Sequence, residues 1–300
     1  KECFLEDKKI AVIYGNCQTG YYDKLFTMCK PFYTEYVIVE TGKVCEYIEN
    51  DYWDILLHDR VFWESVDLFI YQTVEKTNRF SPLVASDNII KLLRSDCKKV
   101  NILNLFFDGY FPQLTKSTSQ LLCQAHQSGL FPFGDRYIGT LLEQGRTVAE
   151  ILSIIKKDDF IPPIEIREKV ELSLKEMEKR EESADVKIVD YLKENYTVRQ
   201  LFYSTNHPCF EVLAEYAKRI LKFIDKRYTQ NFPDKEDVYL QCGTLQGQDI
   251  PLYPSVICTL RLEQYKKKYY PNRYMSNHAD TFLDFEEYMT LYIQACISSN

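Results

Sequence analysis

The chain has 300 residues, 45% hydrophobic and 27% charged, with a formal net charge of -7 at pH 7. That length supports one large domain or a domain plus a helical appendage, and the composition excludes general disorder. The acidic balance excludes a binder that neutralises nucleic-acid phosphates over a broad surface, while a local basic pocket for one phosphorylated ligand stays open.

No apolar run approaches the roughly 20 residues of a membrane span, and the N-terminal stretch lacks a signal-peptide pattern. The 10 cysteines, Cys3, Cys17, Cys29, Cys45, Cys97, Cys123, Cys209, Cys242, Cys258 and Cys296, include no C-x-x-C pair. Such scatter fits neither a zinc ribbon nor a disulfide scaffold, and no metal site is expected. Free thiols in a signal-less acidic chain point to a reducing, cytoplasmic setting.

The first element is the apolar run Lys9-Ile10-Ala11-Val12-Ile13-Tyr14, which breaks at Gly15-Asn16-Cys17-Gln18 before Tyr22, Leu25, Phe26 and Cys29 recur at helical spacing. The pattern predicts a strand, a tight turn and a helix, with Cys17 in the turn. A helix start offers unpaired N–H groups and the positive end of a dipole, both of which favour a thiolate. The same pattern also suits a cysteine that is merely a small buried hydrophobe after the first strand of an α/β domain.

Further apolar runs at 36–39, 54–57, 67–71 and 100–105 alternate with polar or helix-periodic stretches. The alternation predicts an α/β fold, a mostly parallel sheet with helices on both faces. In open sheets of this kind ligands gather beyond the carboxyl ends of the strands, where Cys17 would lie. Asp67-Leu68-Phe69-Ile70-Tyr71 runs into Gln72-Thr73, which places Gln72 on the same rim. Its amide suits an oxyanion donor and equally suits a solvated strand end.

Phe106-Phe107-Asp108-Gly109-Tyr110-Phe111-Pro112 and Leu130-Phe131-Pro132-Phe133-Gly134-Asp135 predict a rigid aromatic loop. It either lines a pocket for a ring or closes a small core of its own. Residues 164–183, with a thin stripe of Val170, Leu174 and Met177, predict a long solvated helix.

Phe202-Tyr203-Ser204-Thr205-Asn206-His207-Pro208 precedes Phe210, Leu213, Ala217, Ile220, Leu221 and Ile224 at helical spacing. A proline at the first helical position puts His207 at or beside the N-cap, where the dipole keeps its ring neutral and able to accept a proton. A neutral histidine and a thiol form a base and nucleophile pair, although Asn-His before a proline is also good capping chemistry by itself. His58, His126 and His278 sit in less suggestive surroundings, and the zinc-protease, P-loop and dinucleotide fingerprints are absent from the sequence.

In this order, Gly15-Asn16-Cys17-Gln18, the strand ending at Gln72, Gly109-Tyr110-Phe111-Pro112 and Asn206-His207-Pro208 resemble the WcbI-type polysaccharide-biosynthesis acetyltransferases, over roughly residues 8–225. Ile250-Pro251-Leu252-Tyr253-Pro254 is a weaker echo. The resemblance implies an SGNH-like core with helical C-terminal additions, arranged as a catalytic domain over 1–228 and an extension over 229–300 packed on it. It implies binding of coenzyme A or acetyl-coenzyme A and transfer of an acetyl group to a sugar or polysaccharide hydroxyl, as in capsule biosynthesis. Cys17 and His207 would be catalytic, with Asn16, Gln18, Gln72 and Asn206 as polar groups of the cofactor pocket. Peripheral association with glycan assembly machinery follows from the same resemblance.

The related GDSL esterases carry an aspartate three residues before the histidine, where this chain has Ser204, so the partner that orients His207 is unassigned; a backbone carbonyl or Asn206 would substitute. Transfer is expected either by direct attack of the acceptor or through Cys17. Phosphate-binding cations are to be sought among Arg79, Arg136, Arg199 and Lys266-Lys267-Lys268. An esterase or deacetylase and a non-catalytic glycan-binding protein are the competing functions.

Overall fold

The computed structural model describes residues 8–49, 51–78, 80–114, 131, 133–230, 232–233, 249–270 and 282–298. Arg79, His126 and His278 of the sequence reading lie outside them, as do 115–130 and Pro132 in the aromatic loop.

In chain order the elements are β1 (Lys9–Tyr14), α1 (Thr19–Thr27), α2 (Lys30–Glu35), β2 (Tyr36–Val39), α3 (Asp51–His58), α4 (Arg60–Ser65), β3 (Val66–Gln72), α5 (Ser86–Ile90) and β4 (Lys98–Ile102). They continue as α6 (Arg136–Glu143), α7 (Val148–Ile155), α8 (Pro163–Glu181), α9 (Val189–Asn195), β5 (Phe202–Ser204), β6 (His207–Pro208), α10 (Phe210–Ile224), α11 (Pro254–Leu260) and α12 (Phe285–Ser298). The chain forms two compact units. The first gathers Lys1–Asn104, Lys179–Ile188 and Phe210–Thr244; the second gathers Leu105–Glu178, Val189–Cys209 and Leu245–Asn300.

The first unit is built on a four-stranded sheet of order β2-β1-β3-β4. Every pairing is parallel, with Val12 opposite both Val39 and Phe69, and Ile70 opposite Val100. This is the parallel α/β sheet flanked by helices that the alternating runs predict. Val12, Tyr14 and Phe69 pack with Trp53 and Trp63 in one buried cluster, and Tyr14 and Trp53 meet edge to face at 5.9 Å. Each such large side chain taken out of water contributes on the order of 1.5–3 kcal/mol.

Helix α1 buries Tyr22, Leu25 and Phe26, a stripe at i, i+3 and i+4, and meets α10 through the rings of Tyr22 and Tyr216 at 6.1 Å. The Tyr216 hydroxyl accepts the main-chain N–H of Leu103 at 2.6 Å, which fixes α10 to the chain leaving β4.

Two sequence expectations need correction. The run 54–57 is not a strand but part of α3, in which Trp53 and Leu56 face inward and Ile55 is 69% exposed. A run of four residues, three of them apolar, does not discriminate strand from helix, and here the i, i+3 burial pattern prevails. The helix after His207 begins at Phe210, and His207-Pro208 instead forms β6.

The second unit is mostly helical. Asp135 caps α6 by accepting from the N–H groups of Tyr137 and Ile138, and Thr147 with Glu150 forms a capping box on α7. Within the aromatic loop, Phe107, Tyr110 and Phe111 are buried, and the Tyr110 hydroxyl donates to the carbonyls of Tyr196 and Arg199 at 2.7 and 3.0 Å. The described part of the loop therefore closes a core of its own. Among the described residues no helix is long and apolar enough to cross a membrane, and no three His, Cys, Asp or Glu side chains cluster as metal ligands.

Candidate active site

Strand β1 has its sequence neighbour β2 on one side and β3 on the other. The chain direction around the sheet thus reverses between β1 and β3, a switch point of the kind at which open sheets bind ligands beyond the carboxyl ends of their strands. Gly15-Asn16-Cys17-Gln18 lies at that point.

Gln72, the last residue of β3 and 2% exposed, braces the turn from beside it. Its Oε1 accepts the main-chain N–H of Asn16 at 2.9 Å, and its Nε2 donates to Gln18 Oε1 at 3.1 Å. Glycine at 15 is required by this approach, because a Cβ there would fall inside contact distance of the Gln72 carboxamide.

Asn16 organises the other side. Its Oδ1 accepts the N–H of Gln18 at 3.0 Å, its carbonyl accepts both the N–H and the hydroxyl of Thr19, and its Nδ2 donates to Asn104 Oδ1 at 2.8 Å. Asn104 follows β4, and its carbonyl accepts from the Arg180 guanidinium. Residues at the ends of β1, β3 and β4 therefore hold one turn. Sequence reasoning finds Asn16, Gln18 and Gln72 but not Asn104, whose signal was a polar residue just past a strand, the same signal that marked Gln72.

Cys17 is partly exposed and directly precedes Gln18, the N-cap of α1. The helix start does not make it a thiolate. Burial pushes its thiol up to about 11 and the nearby Cys45 adds to this, while Lys43 and the N–H groups of Cys17 and Gln18 act in the opposite direction. Desolvation outweighs the dipole, so the thiol is protonated at neutral pH.

Lys43 reaches this position because the Val44 N–H bonds the Gly15 carbonyl at 2.9 Å, and Lys43 itself pairs with Glu46 at 2.9 Å. Thr41, whose hydroxyl is buried without a partner among the described residues, lines a narrow cleft with Thr19, Gly20, Asp23 and Lys43. The Tyr22 hydroxyl, likewise buried without a partner among the described residues, lies within electrostatic range of Cys17. Lys43, Thr41 and Tyr22 carry no motif and become visible only through the fold.

His207 and Asn206 belong to the second unit. Thr205 and Asn206 form the turn of the β5–β6 hairpin, and His207 is 8% exposed on its return strand. Burial lowers the imidazole to about 4, so its ring is neutral at pH 7. Neutrality is the expected state, but its cause is desolvation rather than a helix dipole.

Two of the expected cations are held in ion pairs. Arg136 pairs with Glu165, and Lys266 pairs with Asp249, which is buried. Lys267 and Lys268 are exposed, with Lys267 over the Tyr265 ring at 5.8 Å. The Arg199 N–H closes the end of α9 on the Asn195 carbonyl.

A family model described as the polysaccharide biosynthesis enzyme WcbI matches residues 10–227. No curated protein matches the chain. A solved structure of WcbI, described as a novel polysaccharide biosynthesis enzyme in native form without a disulfide bond between coenzyme A and one of its cysteines, superposes with a TM-score of 0.73. It is 17% identical, and the match covers 98% of this chain and 91% of that one. At that identity the likeness establishes the shared fold.

Proposed function

Since the chain belongs to the WcbI family of polysaccharide biosynthesis enzymes, we propose that it is an acetyltransferase that moves an acetyl group from acetyl-coenzyme A to a sugar hydroxyl. The observation that carries this reading is the braced turn, which presents the Cys17 sulfur and the start of α1 at the sheet's switch point.

The residues there fit coenzyme A. Cys17 keeps part of its surface open, Lys43 is a cation beside it, and the Thr41 hydroxyl is an unmet partner in the adjoining cleft. The relative with this fold is described in connection with coenzyme A and a cysteine, which agrees with assigning the cofactor to Cys17. Bound acetyl-coenzyme A supplies an activated acyl group as a thioester.

The roles of the protein groups follow from their protonation states. His207, neutral at pH 7, takes the proton of the acceptor hydroxyl. The N–H of Cys17 already favours negative charge at the sulfur and is suited to steady a developing oxyanion near it. Asn16, Gln18 and Gln72 hold the turn that carries this donor, and Asn206 is assigned as a polar group beside His207. A role in capsule or other surface polysaccharide synthesis belongs to the same proposal.

Thermal-shift titration with coenzyme A and acetyl-coenzyme A, on wild type and Cys17→Ala, tests the reading before any acceptor is known. Ligand at 100 times its dissociation constant adds about 2.7 kcal/mol, a concentration-dependent rise in melting temperature. No rise at millimolar cofactor removes the proposal and leaves a hydrolase or glycan-binding protein.

A further inference from the structure

The β5–β6 hairpin brings together two groups that neither the family match nor the braced turn explains. Ser204 ends β5, His207 opens β6, and the two are register partners across the two-residue turn. Directly opposed residues of an antiparallel pair project to the same face with Cβ atoms about 4.5–5.5 Å apart. Ser204 is fully buried and His207 nearly so. Ser204 Oγ and His207 Nδ1 are both sealed from solvent and, among the described residues, both without a hydrogen-bond partner. Two unmet polar atoms on one face of one hairpin is an arrangement that folded interiors rarely tolerate.

We propose that Ser204 is the positioning residue of His207, its hydroxyl oxygen accepting the Nδ1–H of the imidazole. A hydroxyl turns about a single torsion among staggered wells, so the contact needs no movement of the backbone. The backbone is in any case held: the Thr205 carbonyl accepts from Phe107 N–H at 2.7 Å, the Tyr203 carbonyl from Ile250 N–H at 2.8 Å, and the Leu201 carbonyl from Cys209 N–H at 2.7 Å. Anchoring on three sides leaves the serine torsion as the adjustable element.

The bond has a chemical consequence. A neutral imidazole carries its proton on one nitrogen, and the partner of that nitrogen selects the tautomer. With Nδ1–H given to Ser204, Nε2 is left bare and able to accept a proton. Without it the tautomers mix and the ring is free to turn. Ser204 thus supplies the orientation of the ring that the sequence left unassigned. The role rests on the reading of His207 as the base of acetyl transfer.

Ring nitrogen-15 shifts of histidine-labelled protein read the tautomer without reference to activity. Wild type should show a protonated Nδ1 and a bare Nε2 at His207, and Ser204→Ala should show a mixture. In acetyl transfer, Ser204→Ala should lower kcat about 10- to 100-fold with KM for acetyl-coenzyme A within about twofold, and Ser204→Thr, which keeps the hydroxyl, should restore most of the rate. A protonated Nε2 in wild type overturns the proposal, as does a Ser204→Ala protein with the wild-type tautomer and rate. Full activity in His207→Ala instead removes the base assignment, an outcome distinct from either.

Discussion

The side-chain carboxamide of Gln72 accepts the main-chain N–H of Asn16 at 2.9 Å, so that the last residue of one strand sets the turn that leaves its neighbour. The approach needs both a glycine at 15 and a long amide at 72, and neither alone accounts for the position of Cys17.

Gln72→Ala leaves the Asn16 N–H and Gln18 Oε1 without their buried partner and should cost about 1–3 kcal/mol. Gly15→Ala should cost a similar amount by expelling the same carboxamide. Because both act on one contact, the double variant should cost clearly less than the sum, measured as urea midpoints at constant slope. Additive losses would mean that the two residues do not act through each other.

The alkylation rate of Cys17 by iodoacetamide should be low at pH 7 and rise with an inflection near the raised value of about 11. Lys43→Ala should move the inflection further up, since the lysine favours the thiolate. Mass spectrometry of the peptide carrying Cys17 separates it from the exposed Cys45 and Cys258. An inflection below pH 8 would contradict the burial argument.

His207 couples stability to pH. Its imidazole is lowered from 6.5 to about 4, so between these values the unfolded chain holds a proton that the folded one does not. Stability therefore falls as pH drops from about 6.5 to about 4, by up to about 3 kcal/mol at 1.36 kcal/mol per pH unit. Asp135, raised to about 6 by burial, acts with the opposite sign, so the quantity to measure is the difference between wild type and His207→Gln. That difference should shrink on acidification; if it is the same at pH 7 and pH 4.5, the imidazole is not desolvated.

Tyr253→Phe removes the hydroxyl that donates to Asp135 Oδ2 at 2.6 Å. The carboxyl, already raised by burial, should rise further. The loss of stability should be about 1–3 kcal/mol at pH 7.5 and smaller at pH 4.5, where Asp135 is protonated and no buried charge has lost its partner. Denaturant unfolding at the two pH values checks this, and an equal loss at both would assign the cost to packing.

Local pattern accounts for much of the first unit. Six residues of strand ending at a glycine, followed by apolar positions at 22, 25 and 26, place Cys17 before a helix, because the periods of strand and helix are written along contiguous residues. Gln72 and His207 were legible for a similar reason, each being a polar residue at the end of a readable run. The strand expected at 54–57 failed where that logic is weakest, in a run too short to show a period. So did the helix expected at His207, where Pro208 suits a short strand as well as a helix start.

The protonation states of Cys17 and His207 were decided in three dimensions. Sequence places a charge near a helix end, but desolvation depends on everything that covers the group, and here it exceeds the dipole for Cys17 and sets the state of His207 alone. Asn104, Lys43 and Thr41 follow the same rule. Each takes its meaning from residues of another segment brought close by parallel strand pairing, and contacts of that kind leave no trace in the order of the chain.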